Sequence, residues 1–321
     1  MLSRSGWLLI AVSVSLLSVF AQSGLRPQIQ VRPVSDMTVP QVPMSLFPTL
    51  LGGTSPYHGD FFPAAPTTLF NNTTLTGYYF PVSNRTFDDV EIPQSRDTDG
   101  DNIYFITELD IAFYVPDTAQ QPVIASFYLA PSTAAGGVDF DAVLAIENVS
   151  LGNLTPGSYI VTLSFPRCSP YQMQSYEFLG ADGNPYDRFW VGLKFPPYCA
   201  PLYTGGGPGW LLADGPDYQG DIFYWDGDSN CGGGFGAGYY WFGGTPRGSF
   251  YIKVMGAATE SDAIVITADI DGNGCVDDAD LLAVLFAFGN TGSGLPEDTN
   301  CDEVIDDADL LNVLFAFGEG C

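Results

Sequence analysis

Basic residues are scarce in this chain. It has 10 Lys and Arg against 37 Asp and Glu, for a formal net charge of −27. So acidic a chain repels phosphate backbones and anionic headgroups, which excludes nucleic acid and an anionic membrane surface as partners. Histidine is scarcer still. His58 is the only one, and it lies in a proline-rich stretch, the setting of an exposed polar side chain. A Ser-His-Asp or Cys-His arrangement is therefore hard to build. The cysteines show no C-x-x-C or C-x-x-H spacing, which speaks against structural zinc. After residue 21 no apolar run is long enough to cross a bilayer. Two carboxylates can hydrolyse a glycoside, but no motif singles out a pair among so many acids, so no catalytic residue is assigned.

What is present starts with a targeting pattern. Residues 1–21 carry Arg4, an apolar run from Trp7 to Phe20, and Ala21. This reads as a secretory signal peptide cleaved after Ala21. The six cysteines, Cys168, Cys199, Cys231, Cys275, Cys301 and Cys321, are an even number in a chain expected outside the cytoplasm, and permit three disulfides. Cys168–Cys199 reads as a loop staple, and the partners of Cys231 and Cys301 stay open. Residues 22–66 hold eight prolines. At that density a regular sheet interior is excluded, and the stretch reads as a leader or linker with at most one edge strand near its end.

From 67 to 258 short apolar and aromatic runs alternate with Gly, Pro, Asn and Asp clusters, the pattern of strands and turns. Strands are expected over 77–80, 103–115, 123–129, 143–149, 158–165, 189–195, 210–213, 221–225, 238–242 and 249–255. In 103–115, Ile103, Phe105, Leu109, Ile111, Phe113 and Val115 share one parity, the period of a strand with one buried face. The expected fold is mainly β, a β-sandwich or jelly roll. Two places in it invite a ligand. Asp97, Asp99, Asp101 and Glu108 fall at positions 1, 3, 5 and 12 of a calcium-type loop, or form a plain acidic turn before a strand. In 221–244, Phe223, Tyr224, Trp225, Tyr239, Tyr240 and Trp241 flank a glycine-rich loop with Asp226 and Asp228. They suit stacking on sugar rings, but the favoured reading is a hairpin whose aromatics alternate between core and surface.

The last fifty residues contain one motif twice. Residues 269–289 read DIDGNGCVDDADLLAVLFAFG, and 298–318 read DTNCDEVIDDADLLNVLFAFG. In each copy oxygen-bearing side chains occupy loop positions 1, 3, 5, 9 and 12, the spacing that wraps a hard oxygen-seeking cation. They are Asp269, Asp271, Asn273, Asp277 and Asp280, then Asp298, Asn300, Asp302, Asp306 and Asp309. At position 7, Cys275 and Val304 offer backbone carbonyls. Position 6 is Gly274 in the first copy and Glu303 in the second. A helix follows each loop: Leu281, Val284, Leu285 and Phe288 recur at helical spacing, as do Leu310, Val313, Leu314 and Phe317, and Gly289 and Gly318 stop them. Leu282, Phe286, Leu311 and Phe315 make a second apolar face, for a partner or for the β domain. The segments entering the loops lack helical spacing, so each unit is a loop and an exiting helix.

On these residues, 269–318 resembles a type I dockerin, the duplicated calcium-binding module that anchors bacterial secreted proteins to cohesins. The resemblance implies two Ca²⁺ ions on the ligands named above, an EF-hand-type fold, and a cohesin-like partner. It also implies a pseudo-twofold that returns the chain end to the first loop, favouring a Cys275–Cys321 clasp. Positions 10 and 11, which help select the cohesin and are often Ser or Thr in cellulosomal dockerins, are Asp278-Ala279 and Asp307-Ala308 here. Residues 269–321 carry 13 acids and no Lys or Arg. Self-repulsion on that scale predicts a module loosened or unfolded without its cations.

The expected organisation is a signal peptide (1–21), a proline-rich leader (22–66), a β-sandwich (67–258) and a dockerin-like calcium-binding module (263–321). The expected function is that of a secreted, non-catalytic protein held at a surface or in an extracellular complex by that module. The alternative is a polysaccharide-active enzyme or carbohydrate-binding protein carrying it, with a polysaccharide as partner.

Overall fold

The computed structural model describes residues 27–34, 67–166, 168–180, 182–196, 207–215, 222–227, 236–242, 248–263, 268–271, 273, 275–292, 295–319 and 321. The signal-peptide segment, His58, the proline-rich stretch beyond Val34, Cys199, Cys231 and the glycine-rich residues 228–235 lie outside them. Fifteen strands are described: β1 (Gln28–Val34), β2 (Thr67–Asn72), β3 (Leu75–Pro81), β4 (Thr86–Pro93), β5 (Ile103–Val115), β6 (Val123–Pro131), β7 (Leu144–Gly152), β8 (Gly157–Ser164), β9 (Tyr171–Gln174), β10 (Tyr176–Leu179), β11 (Pro185–Lys194), β12 (Gly209–Ala213), β13 (Phe223–Trp225), β14 (Gly238–Tyr240) and β15 (Ile252–Ala257). Three helices follow, α1 (Glu260–Ala263), α2 (Asp278–Ala287) and α3 (Asp307–Ala316). No described helix is long and apolar enough to cross a membrane.

The strands form two antiparallel sheets. Sheet A runs β1-β8-β5-β12-β3, with β15 between β5 and β2 and with β9 beside β5. Sheet B runs β14-β13-β4-β11-β6-β7, with β10 on β11. Period-two alternation turns one face of each sheet inward. Leu109, Ile111 and Phe113 of β5, Val161 and Leu163 of β8, and Ile252 and Val254 of β15 meet Val90 and Ile92 of β4, Phe127 and Leu129 of β6, and Phe189, Val191 and Leu193 of β11 in one buried cluster. Two sheets on one core is the arrangement of a sandwich, so the mainly-β expectation holds.

The strand expectations need three corrections. The proline-rich leader contributes β1, which pairs along its whole length with β8 at the edge of sheet A. Its Pro33 is tolerated because an edge strand leaves one row of backbone groups unpaired. In β5 the inward side chains are Tyr104 and Ile106, then Leu109, Ile111, Phe113 and Val115, whereas Ile103 and Phe105 are only half-buried. The parity switches because a bulge leaves Thr107 without a partner on β15: Met255 pairs with Glu108 and Gly256 with Ile106. A Cβ on Gly256 would stand 2.3 Å from the Phe105 carbonyl oxygen, so only glycine fits this approach. Lastly β2, β4, β9 and β10 were not expected as strands. Of these β4 matters most, because it carries Asp88, Asp89 and Glu91 into the sheet interior.

Candidate functional site

Each C-terminal loop is closed by the helix that follows it. Asp277 caps α2 by accepting from Ala279 N, and Asp306 caps α3 by accepting from Ala308 N, both at 2.8 Å. Position 12 reaches back across the loop. Asp280 Oδ1 accepts from Ile270 N (2.6 Å) and Asp271 N (3.1 Å), and Oδ2 from Asp277 N (2.9 Å). Asp309 repeats this with Thr299 N (2.7 Å), Asn300 N (3.2 Å) and Asp306 N (2.9 Å). Position 5 is held alike: Asn273 N donates to Asp269 Oδ1 (3.2 Å) and Asp271 Oδ1 (3.0 Å), and Asp302 N to Asp298 Oδ1 (3.2 Å) and Asn300 Oδ1 (3.1 Å). None of these paired distances differs by more than 0.1 Å. Two sequences that differ at seven of twelve loop positions share these bonds.

The donor set suits a hard cation. Asp269, Asp271 and Asp280 bring carboxylate oxygens within 4.8 Å of one another. An ionised carboxylate has about four acceptor sites, and three N–H groups on Asp280 leave room for an ion. Burial pushes the Asp280 carboxyl up, but those three backbone donors outweigh it and hold the group below the usual aspartate range. It is therefore ionised, as a Ca²⁺ ligand must be. In the second loop Asn300 replaces the position-3 acid and Asp302 the position-5 amide, so both loops offer four carboxylates. All ten side chains expected as ligands stand around their loops. Cys275 and Val304 occupy position 7, where Cys275 N donates to Asn273 Oδ1 (2.8 Å) and Val304 N to Asp302 Oδ1 (2.9 Å).

The halves are joined by exchange. Val276 of the first loop accepts from Gly318 N (2.8 Å) and donates to Glu319 O (2.9 Å), while Ile305 of the second does the same with Gly289 N (2.8 Å) and Asn290 O (3.0 Å). Cys275 and Cys321 form a disulfide. Val276, Val284, Ala287, Ile305 and Val313 make the core between the helices. The inward stripe thus differs from the expected one. Leu285, Phe288, Leu314 and Phe317 are exposed, because the buried line of α2 runs Asp280, Val284, Ala287. The second apolar face is exposed too. Leu282 and Leu311 are 47% and 46% accessible, and Phe286 and Phe315 are 85% and 83%. The described residues of the β domain leave them uncovered.

Cys168 pairs with Cys301, not with Cys199; their Cα atoms are 5.2 Å apart. The bond ties the turn between β8 and β9 to the second loop across 133 residues.

In the β domain, Asp97, Asp99 and Asp101 do converge within 4.8 Å. Glu108 does not join them: it lies on β5, five residues past Ile103, and an extended strand carries it roughly 17 Å from the turn. Asp97 instead accepts from Gly100 N and Asn102 N, both at 3.0 Å, the bonds of an acidic turn. In the aromatic hairpin, Phe223 and Trp225 are buried between the sheets, and Tyr224 and Tyr239 pair on the outer side, their rings 5.3 Å apart. Tyr240 packs on the core, and Asp226 binds Arg85 Nε at 2.7 Å.

Sequence reading missed a charged cluster on β4 and β11. Asp89, Glu91 and Asp187 are almost fully buried. Arg188 Nη2 contacts Glu91 Oε1 and lies 3.1 Å from Asp89 Oδ2, Nη1 donates to Gly136 O at 3.2 Å, and the guanidinium stacks 3.7 Å from the Phe178 ring. Burial and then Asp89 push the Glu91 carboxyl well above its ordinary range, while Arg188 pulls it back. Asp89 and Glu91 both lie against the one Arg188 guanidinium. Glycosidase carboxyls stand about 5 Å or more apart so that a sugar can enter between them. Both of these carboxylates are covered and share one guanidinium, so the group reads as a structural ion cluster. Its only sequence signal is one of few basic residues at the start of an apolar run.

A scan against protein-family models finds no match for this chain, and a search of curated proteins finds none either.

Proposed function

We propose that the chain is a secreted, non-catalytic protein whose C-terminal repeat is a dockerin-like module. The module holds two Ca²⁺ ions and presents its paired helices to a protein partner. The observation that carries this reading is the agreement of the two loops in their paired backbone bonds, around carboxylate oxygens that converge in the first. Acidic residues placed only for solubility have no reason to repeat a backbone cradle to 0.1 Å. The ligands are Asp269, Asp271, Asn273, Asp277, Asp280 and the Cys275 carbonyl, then Asp298, Asn300, Asp302, Asp306, Asp309 and the Val304 carbonyl. When bound, each ion neutralises carboxylates that otherwise repel one another and draws loop and helix together.

The partner surface is the duplicated apolar face of Leu282, Phe286, Leu311 and Phe315. Exposed Asp278 and Asp307 stand at the N-terminal ends of the same helices. A complementary surface is apolar at its centre with a basic rim, the chemistry expected of a cohesin-like receptor with its own selection residues. Disulfides and the lack of a described membrane-crossing helix are compatible with an extracellular setting. The test is capture from the native secretome on the immobilised full chain, with Ca²⁺ or with chelator. A partner retained only with Ca²⁺ and lost on Phe286→Ser with Phe315→Ser supports the reading, and capture indifferent to both contradicts it.

A further inference from the structure

The two loops share a geometry but not the residues that make it easy. The first loop has glycine at positions 4 and 6 of its sequence, Gly272 and Gly274. The second has Cys301 and Glu303 there, both in the left-handed region, at φ +61° and +66°. Side chains on L-residues disfavour that region, so the second loop carries backbone strain at two alternate positions that the first is free to avoid. Such strain persists only where surrounding structure imposes it.

The surroundings differ in the required way. Cys301, one of the two strained residues, is bonded to Cys168 of the β8–β9 turn. Cys168 Sγ also sits 3.5 Å from the carbonyl oxygen of Asp298, the first ligand of that loop. Asp298 and Thr299 are buried, whereas the equivalent Asp269 and Ile270 are half-buried. Asp298 is held further by Glu303 N, which donates to its Oδ2 at 2.9 Å. The first loop has a disulfide as well, but Cys275–Cys321 joins two ends of the module itself. Among the described residues, only the second loop is fastened to the β domain by a disulfide.

We infer that Cys168 is a positioning residue for the second calcium site: its bond to Cys301 fixes the strained backbone of residues 298–304 in the ion-binding form. This rests on the calcium reading above. The second loop is then complete only in the full chain, and a module cut free of Cys168 carries one good site and one weak one.

The test is calorimetric Ca²⁺ titration of the full chain, with Asp309→Ala marking the second loop's share of the isotherm. Cys168→Ser with Cys301→Ser is expected to weaken that share about tenfold and leave the first loop unchanged, since strain at a single left-handed residue is of that order. The first loop's unchanged affinity shows that the variant is folded. Cys168→Ser with Cys301→Gly is expected to recover most of the loss, because glycine adopts φ +61° freely. Two ions bound with equal affinity in the presence and absence of the tether overturn the inference alone, as does a loss that Cys301→Gly does not relieve. No ion bound by the wild-type chain overturns the calcium reading itself.

Discussion

Phe286 and Phe315 stand at equivalent places on α2 and α3 and are exposed to the same degree, 85% and 83%. Large apolar side chains so exposed, at matched places, mark an interaction surface more readily than a packing fault. The Phe286→Ser, Phe315→Ser chain should therefore unfold within about 0.5 kcal/mol of wild type, as surface substitutions do. It should also bind less of a hydrophobic dye. Denaturant unfolding with dye titration checks both. A loss above about 2 kcal/mol would show that the rings are covered.

Arg188 pairs with both Asp89 and Glu91 and donates to the Gly136 carbonyl. Removing one side of a buried ion pair leaves uncompensated charge, so Arg188→Ala should cost about 3–5 kcal/mol. Arg188→Lys should recover only part of this, because one ammonium cannot span both acids and the Gly136 carbonyl. Urea unfolding of the three chains measures it; equal stabilities would contradict the cluster's structural role.

How much of this was legible in the sequence differs by element. The repeat was, because ligand spacing is local: Asp269 to Asp280 lie within one loop, and the helices announce themselves by period. Most core strands were legible from their apolar runs. β4 was not, because Thr86–Pro93 places three acids where a strand interior is apolar, and what makes two of them tolerable, Arg188, lies 97 residues from Glu91. The inward side of Tyr104 was hidden by a bulge that only the pairing of β5 with β15 defines. Cys168–Cys301 was hidden for the same reason: a bond across 133 residues leaves no local mark, whereas Cys168–Cys199 is the nearer pair by spacing.

Asp187 gives a pH signature. Burial pushes its carboxyl up to about 6 from 3.8; the Tyr104 hydroxyl, donating at 2.8 Å, pulls it down, and Asp97 and Glu177 push it up. The folded chain thus holds this proton more tightly than the unfolded one. Stability falls as pH rises from about 4 to about 6 and is level above that. The cost of ionisation is at most about 3 kcal/mol, two pKa units at about 1.4 kcal/mol each. Asp187→Asn keeps an acceptor for Tyr104 and should raise the melting temperature at pH 8 but not at pH 4. An equal shift at both values would contradict this assignment.

The most direct test of the central claim is a count of ions. Native mass spectrometry of the full chain in micromolar Ca²⁺ should show two ions per molecule, one lost on Asp280→Ala and the other on Asp309→Ala. A wild-type chain that carries no Ca²⁺, or an ion count that neither substitution changes, would contradict it.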